Sequence, residues 1–261
     1  MRSIVITNDL ERIEAYRNVV DVVMVDLEKE GKKERQSGQN TWITDHKIED
    51  VLPISILLEE SKTELWVRCD FLLPKDKLLF QLDNLQKFNI DALMVPMFQN
   101  WNDLVELKAI YGHRFRIIPL IETSKAMQDV MTFPVKSHFD YIHLGLNDLS
   151  LSLGKSFLFD TLFDWRFILM VAQLKNLRQN YGIGGLMPIG LGRIDASLLL
   201  KFHSFFSSSG FIISRGFKDF IGNDPKRLKE ELIKIENLMQ DYLGKVDLKD
   251  LYELEKCLDS K

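Results

Sequence analysis

Eight short apolar segments alternate with eight longer segments of helical periodicity along this chain, and this alternation limits the fold more than any other feature. The predicted strands span residues 3–7, 22–28, 64–70, 92–98, 115–122, 139–145, 182–187 and 210–214. The predicted helices span residues 10–19, 46–61, 74–89, 100–112, 124–131, 160–181, 194–206 and 224–243. Alternating β and α units build a parallel sheet, and eight of them in about 250 residues are typical of a closed (β/α)8 TIM barrel. A doubly wound open sheet is the alternative, although one domain of that type usually contains fewer strands.

No linker divides the chain, so we predict one TIM-barrel domain over residues 1–261 with a helical tail at about 245–261. The tail could dock on a neighbouring molecule, and we expect a homo-oligomer. The polar, glycine-containing segment from Gly31 to Thr44 is predicted to be an active-site loop or a mobile lid. Pro53 lies inside the second helical segment and is expected to kink or stop it.

The composition excludes several classes of partner. The net charge is -4 at pH 7, so no basic surface for nucleic acid is expected. No apolar run reaches the roughly 18 residues that span a bilayer, and the first residues show no signal-peptide pattern. The two cysteines, Cys69 and Cys257, form neither a CxxC motif nor a disulfide framework. We therefore expect a soluble cytoplasmic protein that binds neither nucleic acid nor membrane.

Polar side chains gather where the apolar strands end. In a TIM barrel, the C-terminal strand ends carry the chemistry. The polar residues at these ends are Asp26 and Glu28 after the second strand, Arg68 and Asp70 after the third, Gln99 after the fourth, Glu122 and Thr123 after the fifth, Asn147 and Asp148 after the sixth, and Arg215 after the eighth.

Glu122 and Asp148 end strands that are neighbours in the predicted barrel. Adjacent parallel strands lie about 4.8 Å apart, so the two carboxylates can share one divalent cation. Oxygen ligands suit Mg²⁺ or Mn²⁺ and leave positions for water or substrate. The alternative is structural, because an Asp after a strand is often the N-cap of the next helix, and Thr123 or Ser124 could cap the fifth helix.

Arg68 lies between apolar residues in "LWVRCD", on a strand predicted to be buried. A buried guanidinium needs an anionic partner. That partner is either Asp26 or Glu28 on the neighbouring strand, or a substrate carboxylate bound at two points. The spacing alone leaves both possibilities open.

Five segments occur in a characteristic order between about residues 20 and 155: "VDLEKEGKKERQ", "WVRCD", "MVPMFQNWNDL", "IPLIETSKAM" and "HLGLNDLSLSLG". Together they resemble the HpcH/HpaI aldolase and citrate lyase beta-subunit family, whose "IET" and "G-x-N-D-L-S-x-S-L-G" elements are fairly specific in combination. The later segment "GFIISRGFKD" is only loosely similar. The resemblance implies a (β/α)8 barrel that acts on pyruvate-like or oxo-acid units through an enolate.

The resemblance also implies roles for individual residues. Glu122 and Asp148 would be the metal ligands, and Arg68 would be the catalytic residue that polarises the substrate carbonyl and stabilises the enolate. Backbone amides near Asn147 and Asp148 would bind the substrate carboxylate. A further pair, Asp26 and Glu28, would hydrogen-bond water on the metal.

The sequence departs from the family pattern at two positions. Lys29 stands where the aldolases have His, and where the citrate lyase branch has a second Asp. Leu120 stands where the aldolases have Gln. His46 and Asp45 in "WITDHK" are possible replacements for the missing proton-transfer group, although a His at a helix start is more typical of an exposed capping residue.

The leading functional hypothesis is a metal-dependent carbon–carbon lyase, resembling an aldolase or a citrate lyase, that acts on a 2-oxo acid or a related carboxylic acid. Its substrate would contact Arg68, Asn147 and Asp148. A non-catalytic barrel that binds an oxo acid or a protein is one alternative, suggested by the two departures. A phosphoenolpyruvate-using enzyme of the same superfamily is another, suggested by Arg215. Whether a CoA thioester is used stays open.

Overall fold

The predicted strands form one closed parallel barrel. In a computed structural model of the protein, which describes residues 1–32 and 44–259, each strand pairs with the next and the last pairs with the first. The strands are β1 (Arg2–Ile6), β2 (Val22–Asp26), β3 (Glu64–Arg68), β4 (Ala92–Val95), β5 (Arg116–Ile121), β6 (Tyr141–Leu144), β7 (Asn180–Leu186) and β8 (Gly210–Ile213). The parallel pairing of β1 with β8 excludes the open sheet and confirms the (β/α)8 barrel.

Helices connect the strands, and many of them begin at a side chain that caps the first turn. Asp9, Asn100, Asp164, Asp195 and Asp224 each accept a backbone N–H there. The helices in the described residues are α1 (Leu10–Tyr16), α2 (Val51–Leu58), α3 (Lys75–Leu85), α4 (Trp101–Tyr111), α5 (Ser124–Asp129), α6 (Val135–His138), α7 (Leu146–Ser152), α8 (Trp165–Asn176), α9 (Ala196–Phe206), α10 (Arg215–Ile221), α11 (Pro225–Tyr242) and α12 (Leu248–Asp259), with 3₁₀ turns at Ile48–Asp50 and Leu158–Phe163.

The barrel interior is filled by a compact apolar cluster, separate from the larger layer between strands and helices. Tyr141 lies in this interior cluster. Gly182 on β7 and Gly210 on β8 leave room for it, because a Cβ at either position would collide with its hydroxyl. His143 is fully buried with Nδ1 3.3 Å from that hydroxyl, and burial lowers its pKa to about 4. The barrel interior beneath the C-terminal strand ends is therefore filled with packed side chains.

Several elements differ from the predicted ones. The segment "LNDLSLS" forms helix α7, because Leu146 and Leu149 are buried at helical spacing. Helix α10 follows β8 directly and was not predicted. Helix α8 ends at Asn176, and β7 begins at Asn180, inside the helix predicted to reach residue 181. Tertiary burial of Tyr181 in the core favours the strand there.

Pro53 does not stop its helix, which was one of the two effects predicted for it. It is the third residue of α2, which continues to Leu58. A proline in the first turn is tolerated because the N–H groups of that turn have no intrahelical acceptor.

The predicted tail contains helix α12, which packs on this chain's own barrel. Leu254 is fully buried, and Asp250 Oδ1 lies 2.7 Å from Lys201 Nζ on α9. None of the helices in the described residues is long and apolar enough to cross a bilayer. The predicted lid or active-site loop falls largely on residues 33–43, which lie outside the described residues.

Candidate active site

The C-terminal strand ends bring the predicted site residues to one end of the barrel. Asp26 and Arg68 are the last residues of β2 and β3 and are paired in register. Glu122 follows β5 directly, and Asp148 lies in the first turn of α7, which follows β6. All four lie at the end of the barrel where TIM-barrel enzymes have their active sites.

Arg68 forms a two-point ion pair with Asp26. Its Nε donates to Asp26 Oδ1 at 2.8 Å and its Nη2 to Oδ2 at 2.5 Å, while Nε also lies 3.5 Å from Glu28 Oε2. Burial works to lower the pKa of Arg68, but the two carboxylates outweigh it and raise that pKa well above its ordinary value. Nη1 has no hydrogen-bond partner among the described residues. The guanidinium is therefore fixed on one side and has donors left on the other.

Lys32 is a site residue that was not predicted from the sequence. Its side chain is about 5% exposed, and Nζ lies 3.2 Å from both Asp26 Oδ2 and Glu28 Oε2. Burial works to raise the pKa of Asp26, but the charges and hydrogen bonds of Arg68 and Lys32 hold it well below its usual range. Glu28 lies outside any helix, so the helical i, i+4 rule does not apply to this pair and no sequence signal predicted the contact.

Lys29, the residue that replaces the family's His or Asp, has an exposed side chain. Only its backbone is tied to the site: the N–H groups of Lys29 and Glu30 donate to Asp70 Oδ2 at 2.9 and 3.0 Å. Asp70, noted at the end of the third strand, therefore holds the start of the loop after β2. The turn that Asp70 fixes leads directly to Lys32, whose side chain lies beside Asp26 and Glu28.

Glu122 is buried in a tight cradle. Its Oε2 accepts the N–H of Met97 at 3.3 Å, and Met97 has φ 55, a left-handed conformation that is rare for a side chain of this size. On the other side, a Cβ at Gly145 would lie 2.7 Å from Glu122 Oε1. Gly145 leaves the space that the Glu122 carboxylate occupies, and the left-handed backbone of Met97 donates a hydrogen bond to that carboxylate.

Neither of the predicted metal ligands is a helix cap. The cap of α5 is Thr123, whose Oγ1 accepts from the N–H of Ala126 at 3.2 Å and donates to a backbone carbonyl. The N-cap of α7 is Gly145, and Asp148 is the third residue of that helix and is buried. The structural alternative considered from the sequence therefore does not account for either carboxylate.

Negative charge accumulates around Glu122. Burial raises its pKa well above the ordinary value, and the nearby charges of Glu28 and Asp148 raise it further, while Arg68 and Lys32 act in the opposite direction. Carboxylates that follow β2, β5 and β6 therefore lie close enough for their charges to act on Glu122. Without a cation, their mutual repulsion makes the charged form of Glu122 unfavourable.

The donor set fits a divalent metal ion. Glu122 and Asp148 supply carboxylate oxygens, the ligand type that Mg²⁺ prefers, and the negative charge of Glu28 also acts on Glu122. Among residues 1–32 and 44–259, no cluster of three His, Cys, Asp or Glu has a metal-binding arrangement. An ion held by Glu122 and Asp148 would therefore take its other ligands from water and substrate, as Mg²⁺ commonly does.

Asn147 has an exposed side chain, and its carbonyl accepts the hydroxyl of Ser150 at 2.6 Å. It lies in the first turn of α7 together with Leu146 and Asp148. The N–H groups of a first helical turn have no intrahelical partner. The predicted carboxylate-binding amides are thus at the same end of the barrel as Arg68.

A large cleft lies at the opposite end of the barrel. It has a volume of about 710 Å³ and is lined by Arg2, Asp21, Arg116 and Asn180, among others. None of the predicted site residues lines it. The candidate active site is therefore identified by its charged residues and their contacts, not by cavity size.

The sequence itself matches no protein-family model and no curated protein. Solved structures do resemble it. A HpcH/HpaI aldolase/citrate lyase family protein from Burkholderia cenocepacia J2315 has a TM-score of 0.61 at 12% identity, covering 90% of this chain and 94% of that chain. CitE from Mycobacterium tuberculosis, in complex with magnesium and pyruvate, has a TM-score of 0.56 at 12% identity, covering 92% and 97%.

This chain has the barrel fold of the HpcH/HpaI aldolase/citrate lyase proteins. Tryptophan synthase from M. tuberculosis is similar to the same extent, with a TM-score of 0.59 at 12% identity over 93% of both chains. One fold therefore accommodates different activities, and the activity of this chain has to be argued from its own site residues.

Proposed function

We propose that this protein is a metal-dependent carbon–carbon lyase, resembling an aldolase or citrate lyase, that acts on a 2-oxo acid or a related carboxylic acid through an enolate. The observation that carries the proposal is the buried carboxylate of Glu122, crowded by Glu28 and Asp148 and placed at the same barrel end as Arg68. The CitE structure with magnesium and pyruvate supports this choice of metal and ligand class.

Arg68 stabilises the negative charge that develops on the substrate oxygen. Asp26 occupies Nε and Nη2, so the guanidinium plane is set before substrate arrives and Nη1 is left to donate. A donor that is already oriented needs no reorganisation in the transition state, which is the main source of this kind of stabilisation.

Backbone amides near Asn147 and Asp148, in the first turn of α7, bind the substrate carboxylate. Lys32 pairs with Asp26 and Glu28, which reduces the repulsion between their negative charge and the incoming anion. A divalent ion bound by Glu122 and Asp148 would act as a Lewis acid on the substrate oxygens. In the cleavage direction, the carbon–carbon bond next to the enolate carbon breaks. In the condensation direction, the same bond forms between the enolate carbon and the second fragment.

Proton exchange tests enolate formation without knowledge of the second substrate. Purified protein is stripped with EDTA and incubated with pyruvate in D₂O, and loss of the methyl proton signal is followed by NMR. We expect exchange only after Mg²⁺ or Mn²⁺ is restored, and none in Glu122→Gln. A panel of oxaloacetate and 4-hydroxy-2-oxo acids then tests cleavage, with released pyruvate as the readout.

Binding of oxalate, which resembles the pyruvate enolate, separates the possible outcomes. Metal-dependent exchange or cleavage together with oxalate binding supports the lyase. Oxalate binding by calorimetry without exchange or cleavage favours the non-catalytic barrel that Lys29 and Leu120 suggested, because Lys29 is exposed and Leu120 is part of the apolar interior. Absence of both binding and exchange with metal present rejects the proposal.

A further inference from the structure

The peptide groups of Asp26 are bound by side chains from a segment far along the chain. The hydroxyl of Thr44 donates to the carbonyl oxygen of Asp26 at 2.8 Å, and the N–H of Asp26 donates to His46 Nδ1 at 2.9 Å. On the β1 side, the last residue of β2 with a register partner is Met24, opposite Ile6. Thr44 and His46 therefore occupy the place where a neighbouring strand would have continued.

His46 is buried, with 5% of its surface exposed, which corrects the expectation of an exposed capping residue. Because Nδ1 accepts a hydrogen bond, the neutral ring carries its proton on Nε2. Burial lowers the pKa of His46, and the charge of Lys218 acts in the same direction, against the carboxylates of Asp26, Asp50 and Asp45. The neutral ring at pH 7 is the form that can accept the Asp26 N–H.

Asp26 in turn fixes the orientation of Arg68. Its two carboxylate oxygens bind Nε and Nη2, so a rotation of the Asp26 peptide would tilt the guanidinium plane and move Nη1. Displacements of about 1 Å at a catalytic group can cost on the order of 10²-fold in rate. The pairing of β2 with β1 ends at Met24, so hydrogen bonds from outside the sheet are needed to hold the Asp26 peptide groups on that side.

We infer that His46 and Thr44 are positioning residues that clamp the backbone of Asp26 and, through its carboxylate, set the donor plane of Arg68. The effect on turnover rests on the proposed function, whereas the effect on the Asp26 backbone does not. This role differs from that of a proton-transfer group, because it uses Nδ1 towards the protein and requires no contact between His46 and the substrate.

Two substitutions separate these roles. In His46→Asn, the side-chain oxygen lies near the position of Nδ1 and can still accept the Asp26 N–H. In His46→Gln, the amide group extends towards the position of Nε2, and the Nδ1 acceptor is lost. Thr44→Val and Thr44→Ser form a second pair, in which only Ser keeps the hydroxyl that donates to Asp26.

The first measurement is amide hydrogen exchange of Asp26 by NMR in ¹⁵N-labelled protein without metal or substrate. We expect exchange at Asp26 to accelerate at least about tenfold in His46→Gln and Thr44→Val, as for loss of one hydrogen bond worth about 1.4 kcal/mol. Exchange should stay close to wild type in His46→Asn and Thr44→Ser. His203→Asn is the matched control, since His203 is another buried imidazole, bonded at 2.6 Å to Ser208 away from the site.

The second measurement is turnover, or pyruvate proton exchange, in the same variants. We expect kcat to fall roughly 10- to 100-fold in His46→Gln with KM little changed, and to recover within about threefold in His46→Asn, as for a displaced catalytic group. Unchanged Asp26 exchange in both His46→Gln and Thr44→Val would overturn the inference. So would equal loss of turnover in His46→Asn and His46→Gln, which would assign His46 to proton transfer through Nε2. If wild type shows no turnover on any substrate, the amide exchange alone decides the inference, and only the proposed function fails.

Discussion

Arg68 has the protein partner that the sequence suggested for it, whereas its contact with substrate is a proposal. A buried guanidinium between apolar strands required an anion, and Asp26 supplies it through two hydrogen bonds. The pair leaves donors on Nη1 that face no described partner. The structural and the proposed catalytic roles therefore use different nitrogen atoms of the same side chain.

Arg68→Lys separates these two roles. Lysine keeps the charge but cannot bind Asp26 at two points and also donate to a substrate oxygen. We expect kcat to fall by roughly 10²–10³, as for loss of one oxyanion donor, with the free energy of unfolding lowered by only about 1–2 kcal/mol. Steady-state kinetics and thermal melting measure the two effects.

Arg166→Lys is the matched control for this substitution. Arg166 binds Asp164 in the same two-point manner, at 2.8 and 2.7 Å, and Asp164 is the N-cap of α8 rather than a residue of the site. The control substitution should leave kcat unchanged. A lowered melting temperature with kcat intact in Arg68→Lys would show that Arg68 serves only to pair with Asp26.

Glu122 makes the stability of the metal-free protein depend on pH. Burial, with the charges of Glu28 and Asp148, raises its pKa above the ordinary value of 4.5. The folded protein therefore holds this proton to higher pH than the unfolded chain does, and the free energy of unfolding should fall as pH rises above 4.5. Glu122→Gln should remove this loss and stabilise the metal-free protein at pH 8 by roughly 1–3 kcal/mol.

Melting curves in EDTA and in Mg²⁺ test this prediction. Mg²⁺ at about 100 times its Kd should stabilise wild type by about 2.7 kcal/mol and should have no effect on Glu122→Gln. Glu231→Gln, at a buried glutamate paired with Lys234 on α11, is the control and should keep the full Mg²⁺ response. An equal Mg²⁺ response in wild type and Glu122→Gln would remove Glu122 from the metal site.

At the scale of single elements, the side chain of Glu122 after β5 packs closely against Gly145 after β6. Ile121 pairs with Leu144, so the next residues, Glu122 and Gly145, lie side by side. Gly145 has an ordinary φ of -89°, so its backbone does not require glycine. Only the carboxylate of Glu122, against which a Cβ would press, requires it.

Gly145→Ala should therefore disturb the site more than the fold. The new methyl group would displace the Glu122 carboxylate, and we expect Mg²⁺ affinity to fall at least about tenfold with an overpacking cost of roughly 1–3 kcal/mol. Calorimetric Mg²⁺ titration and thermal melting are the measurements. Gly222→Ala is the contrasting control, since Gly222 has φ 64 with open space around it, so Ala there should lower stability without changing Mg²⁺ affinity. Unchanged Mg²⁺ affinity in Gly145→Ala would show that the contact between Gly145 and Glu122 does not position the carboxylate for the metal.

At the scale of the whole molecule, stability and chemistry are spatially separate. The barrel interior and the outer apolar layer hold the strands in register, while the site residues lie at the strand ends. Helix α12 belongs to the outer layer through Leu251 and Leu254. Substitutions in that layer should change the free energy of unfolding and leave the site intact.

Leu254→Ala tests this separation. Truncating this fully buried side chain should lower the free energy of unfolding by about 2–5 kcal/mol. Below the melting transition, Mg²⁺ affinity and turnover per folded molecule should equal those of wild type. Loss of Mg²⁺ affinity in the folded variant would show that α12 supports the site as well as the barrel.

The sequence alone determined the barrel and the strand ends at which polar residues gather. Alternation of apolar strands and helices is a local pattern, and eight such units can bury their apolar faces together by closing the sheet. For the same reason the order of the residues along the chain was enough to assign Arg68, Glu122 and Asp148 to one end of the barrel. Local patterns were less certain at Leu146–Ser152, where leucines at mixed spacing suited either a strand or a helix, and packing favoured the helix.

Only the tertiary structure decided which residues complete the site. Lys29 and Lys32 are equally charged and three residues apart, and it is the turn held by Asp70 that exposes the first and buries the second against Asp26 and Glu28. His46 is 20 residues from Asp26, and no periodicity in the sequence connects them. Their contact depends on where β1 ends and on how the chain returns to the barrel mouth. Such contacts arise from three-dimensional closure, because the free energy of burying and pairing charged groups depends on distances in space that the spacing along the chain does not encode.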